Sequence, residues 1–86
     1  MNSENLHRLA LAEVQSLTEF EEKKITKKNM MYSIHKLLPI LIYLGENEFF
    51  ENLSEIKKIK NLNIQKNEFQ KACKFIREKF SKWAFI

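Results

Sequence analysis

The alternation of apolar and polar residues divides the chain into segments with helical periodicity. In the first segment apolar side chains recur every three or four residues, which places them along one face of a helix. They are Leu6, Ala10, Val14, Leu17 and Phe20. Ser3 is a suitable N-cap, and Lys23 and Lys24 suit the negative end of the helix dipole. The pattern predicts a first helix over residues 4–23.

The second segment follows Thr26, whose hydroxyl can accept a hydrogen bond from the backbone N–H of Asn29 as an N-cap. Helical spacing then relates Met30, Met31, Ile34, Leu37, Leu38 and Leu41. Pro39 interrupts the pattern, because proline removes a backbone donor and disfavours helix for the preceding residue. The pattern allows a kinked helix, two helices that divide near Pro39, or a buried strand over 40–44. Helix is favoured because no other segment offers a partner strand, and Gly45 is placed to end it.

Two further segments complete the pattern. Residues 49–61 carry an apolar face made of Phe49, Leu53, Ile56 and Ile59. Ser54 is an alternative N-cap for a shorter helix there, and residues 62–64 are predicted to form a connector. A last helix is predicted over 65–82, with an apolar stripe along one face. That stripe consists of Phe69, Ala72, Cys73, Ile76, Phe80 and Trp83. The apolar ending at 83–86 is predicted to fold onto the core or to contact a partner.

These segments predict an all-α fold, a small bundle of four to five helices in a single domain of residues 1–86. A chain of 86 residues can bury a real but small core. One glycine and one proline cannot supply the many tight turns of a barrel or a sandwich. The predicted core consists of Leu17, Ile34, Leu41, Ile56, Phe69, Ile76 and Phe80.

Little in the sequence suggests catalysis. Cys73, the single cysteine, lies on an apolar stripe, where it is expected to be a buried hydrophobe with a raised thiol pKa. The histidines, His7 and His35, have no metal-ligand spacing, and the chain contains no aspartate. One glycine cannot form a phosphate-binding loop. We therefore expect a non-enzymatic protein that uses no metal or other cofactor.

Targeting signals are also missing from the pattern. The first residues lack the basic start and the apolar core of a signal peptide. The longest apolar run, 37–44, has eight residues, whereas a membrane-spanning helix needs about 20. The sequence therefore predicts a cytoplasmic protein without a membrane partner.

The net charge of +4 is arranged in blocks of alternating sign. Residues 1–22 sum to −4, residues 23–44 to +5, residues 45–56 to −4 and residues 57–86 to +7. One interpretation is that these are solvated helix faces that pair across the fold. The other is that the basic C-terminal third binds a polyanion, because a basic face is typical of nucleic-acid binding.

Residues 53–72 have the pattern of a short helix, a three-residue turn and a longer helix. Ile56 is placed to hold the first helix to the core, Ile64 to fill the turn and Phe69 to seat the second helix. This arrangement resembles the helix-turn-helix of DNA-binding proteins. With the basic end of the chain, it also resembles the small helix-turn-helix accessory proteins of plasmid transfer and mobile elements.

The resemblance implies a recognition helix whose N-terminal residues face the bases. Asn and Gln can pair with adenine edges, and Lys reaches guanine or phosphate. The base-facing candidates are Gln65, Lys66, Asn67, Gln70 and Lys71. The candidates for phosphate contacts are Lys57, Lys58, Lys60, Lys74 and Arg77. The segment departs from the usual pattern at Asn63, where glycine is common, and at Lys57 or Lys58, where a small residue usually stands. The hypothesis is that residues 54–77 bind nucleic acid, in particular duplex DNA.

The alternative is a small helical protein-binding module, such as an adaptor, an antitoxin, a secretion chaperone or a phage-encoded inhibitor. Its surface would be the first helix with Trp83, Phe85 and Ile86, because aromatic side chains are favoured at interface centres. A two-fold homodimer is also predicted, since the first helix and this tail carry more apolar surface than one small monomer comfortably buries.

Overall fold

The computed structural model describes residues 3–19 and 25–81, with residues 3 and 16–19 described by backbone alone. The described residues form four helices: α1 (Ser3–Glu19), α2 (Lys27–Tyr43), α3 (Asn47–Lys57) and α4 (Leu62–Phe80). No strand occurs in either described range. The predicted all-α fold is confirmed.

The apolar stripe of α1 packs inside the chain. The buried side chains of this helix are Leu6, Ala10, Leu11 and Val14. The helix packs on both α2 and α4, so these side chains are covered without a second copy. The predicted end of the first helix at 20–23 lies outside the described residues, as do the side chains of Leu17 and Phe20.

α2 begins as its sequence predicts. The Asn29 N–H donates a hydrogen bond to the Thr26 hydroxyl over 3.1 Å, and Thr26 has an extended backbone. The Thr26 side chain therefore satisfies one of the backbone donors that a helix start leaves without a partner. The predicted N-cap is confirmed.

Pro39 lies inside α2, which continues through it as one helix. Proline deprives the carbonyl of the residue four positions earlier, here His35, of its usual helical donor. Both residues are exposed, so water can reach this carbonyl, while Leu37 and Leu41 anchor the opposite side of the helix in the core. The alternatives of two helices divided near Pro39 and of a strand over 40–44 are wrong.

The turn from α2 to α3 depends on the single glycine. Gly45 has φ of 74°, in the left-handed region that glycine adopts without strain. Its N–H donates to the Ile42 carbonyl over 3.0 Å, and the Glu46 N–H donates to the Leu41 carbonyl over 2.9 Å. These two bonds form a Schellman motif, which satisfies the last carbonyls of α2. The prediction that Gly45 ends this helix is confirmed.

α3 and α4 both start earlier than their apolar stripes predict. α3 ends at Lys57, so Ser54 lies within it and caps nothing. α4 starts at Leu62 because the Asn61 side chain accepts the Ile64 N–H over 3.0 Å, which makes Asn61 the N-cap. The predicted connector over 62–64 is therefore wrong, since these residues form the first turn of α4. Ile64 is exposed and fills no turn.

The four helices form a ring in which each helix packs on the next and α4 packs on α1. The His7 ring lies edge-on to the Phe80 ring, with centroids 4.8 Å apart, so the start of α1 meets the end of α4. The Lys79 ammonium is 2.9 Å from the Glu46 carboxylate, which brings the α2–α3 turn to the same end. Six predicted core residues are buried: Ile34, Leu41, Ile56, Phe69, Ile76 and Phe80.

Candidate nucleic-acid interface

α3 and α4 are joined by a short connection, as predicted, but they lie side by side. At one end the Gln65 amide bonds the Ile56 carbonyl over 3.0 Å. At the other end the rings of Phe49 and Phe80 have centroids 6.2 Å apart. At 1.5 Å per residue, these contacts are about 10 Å apart along α3 and about 22 Å apart along α4. If the two helices crossed near a right angle at the first contact, as in a helix-turn-helix, positions 49 and 80 would be about 24 Å apart. The rings of these two residues could then not meet. The two helices therefore form an antiparallel hairpin.

Gln65 holds the two helices together at the connection. Its side-chain amide donates to the carbonyls of Ile56 and Lys57, over 3.0 Å and 3.4 Å. These are the last two residues of α3, where a helix leaves carbonyls without helical donors. Gln65 is 1% exposed. The prediction that Gln65 faces bases is wrong, because Gln65 lies four residues before Phe69 and shares the face of α4 that carries this buried ring.

The surface of α4 divides into three strips, each about 100° wide on a helical wheel. The buried strip consists of Gln65, Phe69, Ala72, Cys73, Ile76 and Phe80. We call the second strip the acid-free flank; it consists of Asn63, Lys66, Asn67, Gln70, Lys74 and Arg77. We call the third strip the paired flank; it consists of Ile64, Glu68, Lys71, Phe75, Glu78 and Lys79.

The acid-free flank presents three cations without a carboxylate among them. Lys66 and Arg77 are partly exposed and Lys74 is exposed. Within the described residues, none of the three has an acidic oxygen within 4.0 Å. The amides of Asn67 and Gln70 lie between the cations. Over the distance from Lys66 to Arg77, about 16 Å at the helical rise, this surface offers positive charge and hydrogen-bonding groups.

The paired flank has a different chemistry. The Lys71 ammonium is 3.4 Å from Glu68, and the Lys79 ammonium is 2.9 Å from Glu46. Between these cations Phe75 is 56% exposed. Lys71 therefore has a carboxylate of its own helix as a neighbour, and it lies on a different strip of α4 from Lys66. The sequence hypothesis placed both lysines against the bases, whereas in the structure they face different directions.

Three more cations surround the start of α4. Lys57 ends α3, and Lys58 and Lys60 follow in the connection; all three are exposed. Lys58 is 3.6 Å from Glu55, but both side chains are about three-quarters exposed, and such pairs contribute little. The connection therefore adds basic groups near the acid-free flank.

Asn63 is a flank residue that sequence reasoning assigned to a turn. It lies in the first turn of α4 and is exposed. Its place on the acid-free flank follows from the Asn61 N-cap, two residues earlier. The signal was present in the sequence, since asparagine is among the preferred N-cap residues.

Cys73 contributes packing rather than chemistry. It is 1% exposed, and burial raises the pKa of its thiol to about 12 from an ordinary value of 9.0; Glu13 adds to the rise and Arg77 opposes it. Near neutral pH this thiol is not a nucleophile, because the thiolate is the reactive form. In the described ranges no three His, Cys or Glu side chains come together as metal ligands.

Comparison with protein families, with characterised proteins and with solved structures finds no match to this chain. None of the helices in the described part of the chain is long and apolar enough to cross a membrane.

Proposed function

We propose that the protein binds nucleic acid, in particular duplex DNA, as a small non-enzymatic accessory or regulatory protein. The observation that carries the proposal is the acid-free flank of α4 together with the lysines at its start. Basic groups in these two places are Lys57, Lys58, Lys60, Lys66, Lys74 and Arg77. Lys66, Lys74 and Arg77 carry their charge on one strip of α4, and the three other lysines are exposed at its start. Such a surface suits a polyanion.

Phosphate contacts provide most of the affinity in this proposal. Duplex DNA carries one negative charge per about 1.7 Å of its axis. A duplex segment as long as the distance from Lys66 to Arg77, about 16 Å, thus carries roughly ten phosphate charges. If all six cations contact phosphates, the logarithm of the binding constant should fall with the logarithm of salt with a slope of about −5.

Base contacts fall to the exposed amides of the acid-free flank. Asn67 is exposed and Gln70 is partly exposed, and both can pair with an adenine edge. Gln65 and Lys71 leave the set, because the first is buried against α3 and the second lies on the paired flank beside Glu68. Since α3 and α4 form a hairpin, the flank lies along a groove in this proposal rather than entering it as a helix-turn-helix does.

The test is a titration of a labelled mixed-sequence duplex at roughly 50 mM and 200 mM salt, where phosphate binding changes steeply. Lys66→Gln with Lys74→Gln should flatten the salt slope by about two, one for each lost contact. The control is Lys71→Gln with Lys79→Gln, which lowers the net charge equally but removes cations that already have carboxylate partners. The control should change the slope by less than half as much.

Two results would reject the proposal. One is no binding of the unaltered protein at roughly 50 mM salt, where non-specific phosphate contacts are detectable. The other is an equal loss in both double variants, because total charge rather than the acid-free flank would then govern binding.

Dimerisation is not required for this function. Of the α1 stripe that suggested a dimer, Leu6, Ala10 and Val14 are buried within the chain. The side chains of Leu17 and Phe20 and residues 83–86 lie outside the described residues. The predicted dimer, which would engage two half-sites, therefore stays a prediction. Light scattering at high protein concentration tests it directly.

A further inference from the structure

The side of α2 that faces away from the bundle carries an unusual mixture of side chains. We call it the outer face of α2; it consists of Lys28, Tyr32, His35, Pro39, Ile42 and Tyr43. All six are exposed. The three large ones are far from buried: Tyr32 is 61% exposed, Ile42 57% and Tyr43 69%. Since α2 already buries Leu37 and Leu41 on its opposite side, the outer face contributes nothing to the core.

We propose that the outer face of α2 binds an acidic amphipathic helix of a partner protein. This surface is separate from the acid-free flank, so it gives the protein a second binding function whether or not DNA is bound. Tyrosine is favoured at the centres of protein interfaces, because its ring gives a large contact area and its hydroxyl a hydrogen bond. Isolated exposed apolar residues are ordinary, but three large ones on one helix face indicate an interaction site.

The sign of the partner's charge follows from the composition of α2. This helix contains no Asp or Glu over its 17 residues. Lys28 lies on the outer face and Lys36 beside it, with its ammonium 4.7 Å from the centre of the Tyr32 ring. Lys36 is also 3.9 Å from a Glu13 oxygen, but half of its side chain remains exposed. An acidic partner complements these cations. A second copy of the same face would oppose like charges, which disfavours pairing.

The shape of the outer face favours a helix as the occupant. Tyr32, Pro39 and Ile42 follow one another along the helix axis at helical spacing, and Tyr43 extends the row. The row from Tyr32 to Tyr43 is about 16 Å long, or three helical turns. A partner helix presents its own apolar stripe over such a length at i, i+3, i+4 and i+7. Aliphatic Ile42 and Pro39 between the tyrosines suit this stripe better than stacked bases.

The experiment uses the full chain labelled with 15N and a synthetic peptide about 18 residues long, enough for a helix of five turns. The peptide has leucine at helical spacing and glutamate on both sides of that stripe; in a control peptide every glutamate is lysine. NMR titration should show saturable shifts of the amide signals from the outer face of α2. The glutamate peptide should bind at least about tenfold more tightly than the lysine peptide.

Matched variants locate the contact. Tyr32→Ala with Tyr43→Ala should weaken binding of the glutamate peptide by about tenfold or more, as expected for aromatic anchors. Phe75→Ala removes a similarly exposed ring from α4 and should change the affinity less than about twofold. All three residues are exposed, so neither variant should disturb folding.

Several outcomes would overturn the proposal. They are no saturable shift up to roughly millimolar peptide, equal binding of both peptides, and an equal loss in the Phe75→Ala variant. Shifts of the outer-face signals with protein concentration alone would instead indicate a second copy. Shifts with a single-stranded oligonucleotide but not with peptide would indicate base stacking on the tyrosines. None of these results depends on duplex binding by α4, so failure here is distinguishable from failure of the proposed function.

Discussion

The acid-free flank and the paired flank of α4 belong to one helix and have similar widths, yet they present opposite chemistry to solvent. On the paired flank Lys71 and Lys79 lie within 3.4 Å and 2.9 Å of carboxylates. On the acid-free flank Lys66 and Lys74 have no such neighbour among the described residues. A basic segment is therefore not uniformly basic at its surface. The difference has two causes. Glu68 and Glu78 fall on the paired flank of the helix, and the α2–α3 turn brings Glu46 to Lys79 on the same side.

The largest expected effect comes from the buried strip that holds both flanks in place. Phe69 is fully buried, whereas Phe75 on the paired flank is 56% exposed. Phe69→Ala should lower the free energy of unfolding by about 2–5 kcal/mol, because it leaves a cavity in a small core. Urea denaturation followed by circular dichroism measures this change.

Phe75→Ala is the matched control, since the same ring is removed from the same helix. It should change the free energy of unfolding by less than about 0.5 kcal/mol. Similar losses in the two variants would mean that the assignment of buried and exposed strips is wrong.

Two amides on α4 distinguish a packing role from a binding role. Gln65→Ala should lower the free energy of unfolding by about 1–3 kcal/mol, because it removes a buried hydrogen bond to the end of α3. Asn67→Ala, on the acid-free flank, should leave stability almost unchanged and relax any sequence preference by about 1–3 kcal/mol per lost base contact. Urea denaturation and duplex titration measure the two effects.

If Gln65→Ala left stability unchanged and altered sequence preference, the amide would face the ligand and the hairpin geometry of α3 and α4 would be wrong.

The next effect is a pH dependence of stability at the edge between the buried strip and the acid-free flank. The folded protein keeps the Cys73 proton up to a pKa of about 12, whereas an exposed thiol loses it near 9.0. Between these values the unfolded state binds fewer protons, so rising pH favours unfolding. The contribution of the buried neutral thiol to the free energy of unfolding is fully present below pH 9.0. At higher pH it is lost at up to about 1.4 kcal/mol per pH unit.

Cys73→Ala is the reference, because its stability contains every titration except that of the thiol. The difference in unfolding free energy between the two proteins should shrink from pH 9 to pH 10 by about 1 kcal/mol. A constant difference would show that the thiol is not buried.

The smallest effect comes from making the paired flank resemble the acid-free flank. Glu68→Gln with Glu78→Gln removes both carboxylates of that flank and frees Lys71. Duplex binding should tighten a few-fold, and the salt slope should steepen by up to about one, the value of one further phosphate contact. The same titration as for the proposed function measures it.

Glu48→Gln with Glu51→Gln changes the net charge equally on α3, where both side chains are exposed. If this control tightened binding as much, the effect would be one of total charge, and the comparison between the two flanks would have no functional meaning.

Much of the fold was predictable because its signals are local. The Thr26 N-cap and the end of α2 at Gly45 each involve residues within a few positions of one another. The α4 start was missed although its signal is also local, since Asn61 caps a helix that begins at Leu62, three residues before the predicted start. The apolar stripe begins at Phe69, two turns into the helix, and so places the boundary too late.

The candidate site was predictable only in part. The lysines near the connection and on α4 reach solvent, with Lys66 partly exposed and the others exposed. The burial of Gln65 had a local signal, because Gln65 lies four residues before Phe69 and so on the same helix face. Its hydrogen-bond partners had none, because the carbonyls that bind it belong to the preceding helix. Similarly, the Lys79 ammonium bonds the Glu46 carboxylate, 33 residues away in the chain. Helical periodicity does not relate positions so far apart.

The sequence by itself determined the four helical segments, the caps at Thr26 and Gly45, the core stripes and the block of positive charge, because each depends on neighbours along the chain. Only the tertiary structure decided that α3 and α4 form a hairpin, that Gln65 bonds the end of α3, and that the outer face of α2 has no cover among the described residues. These outcomes depend on which helix surfaces meet. Many arrangements of four amphipathic helices bury the same stripes, and the choice among them is made by side-chain packing and by polar groups that must find partners away from water.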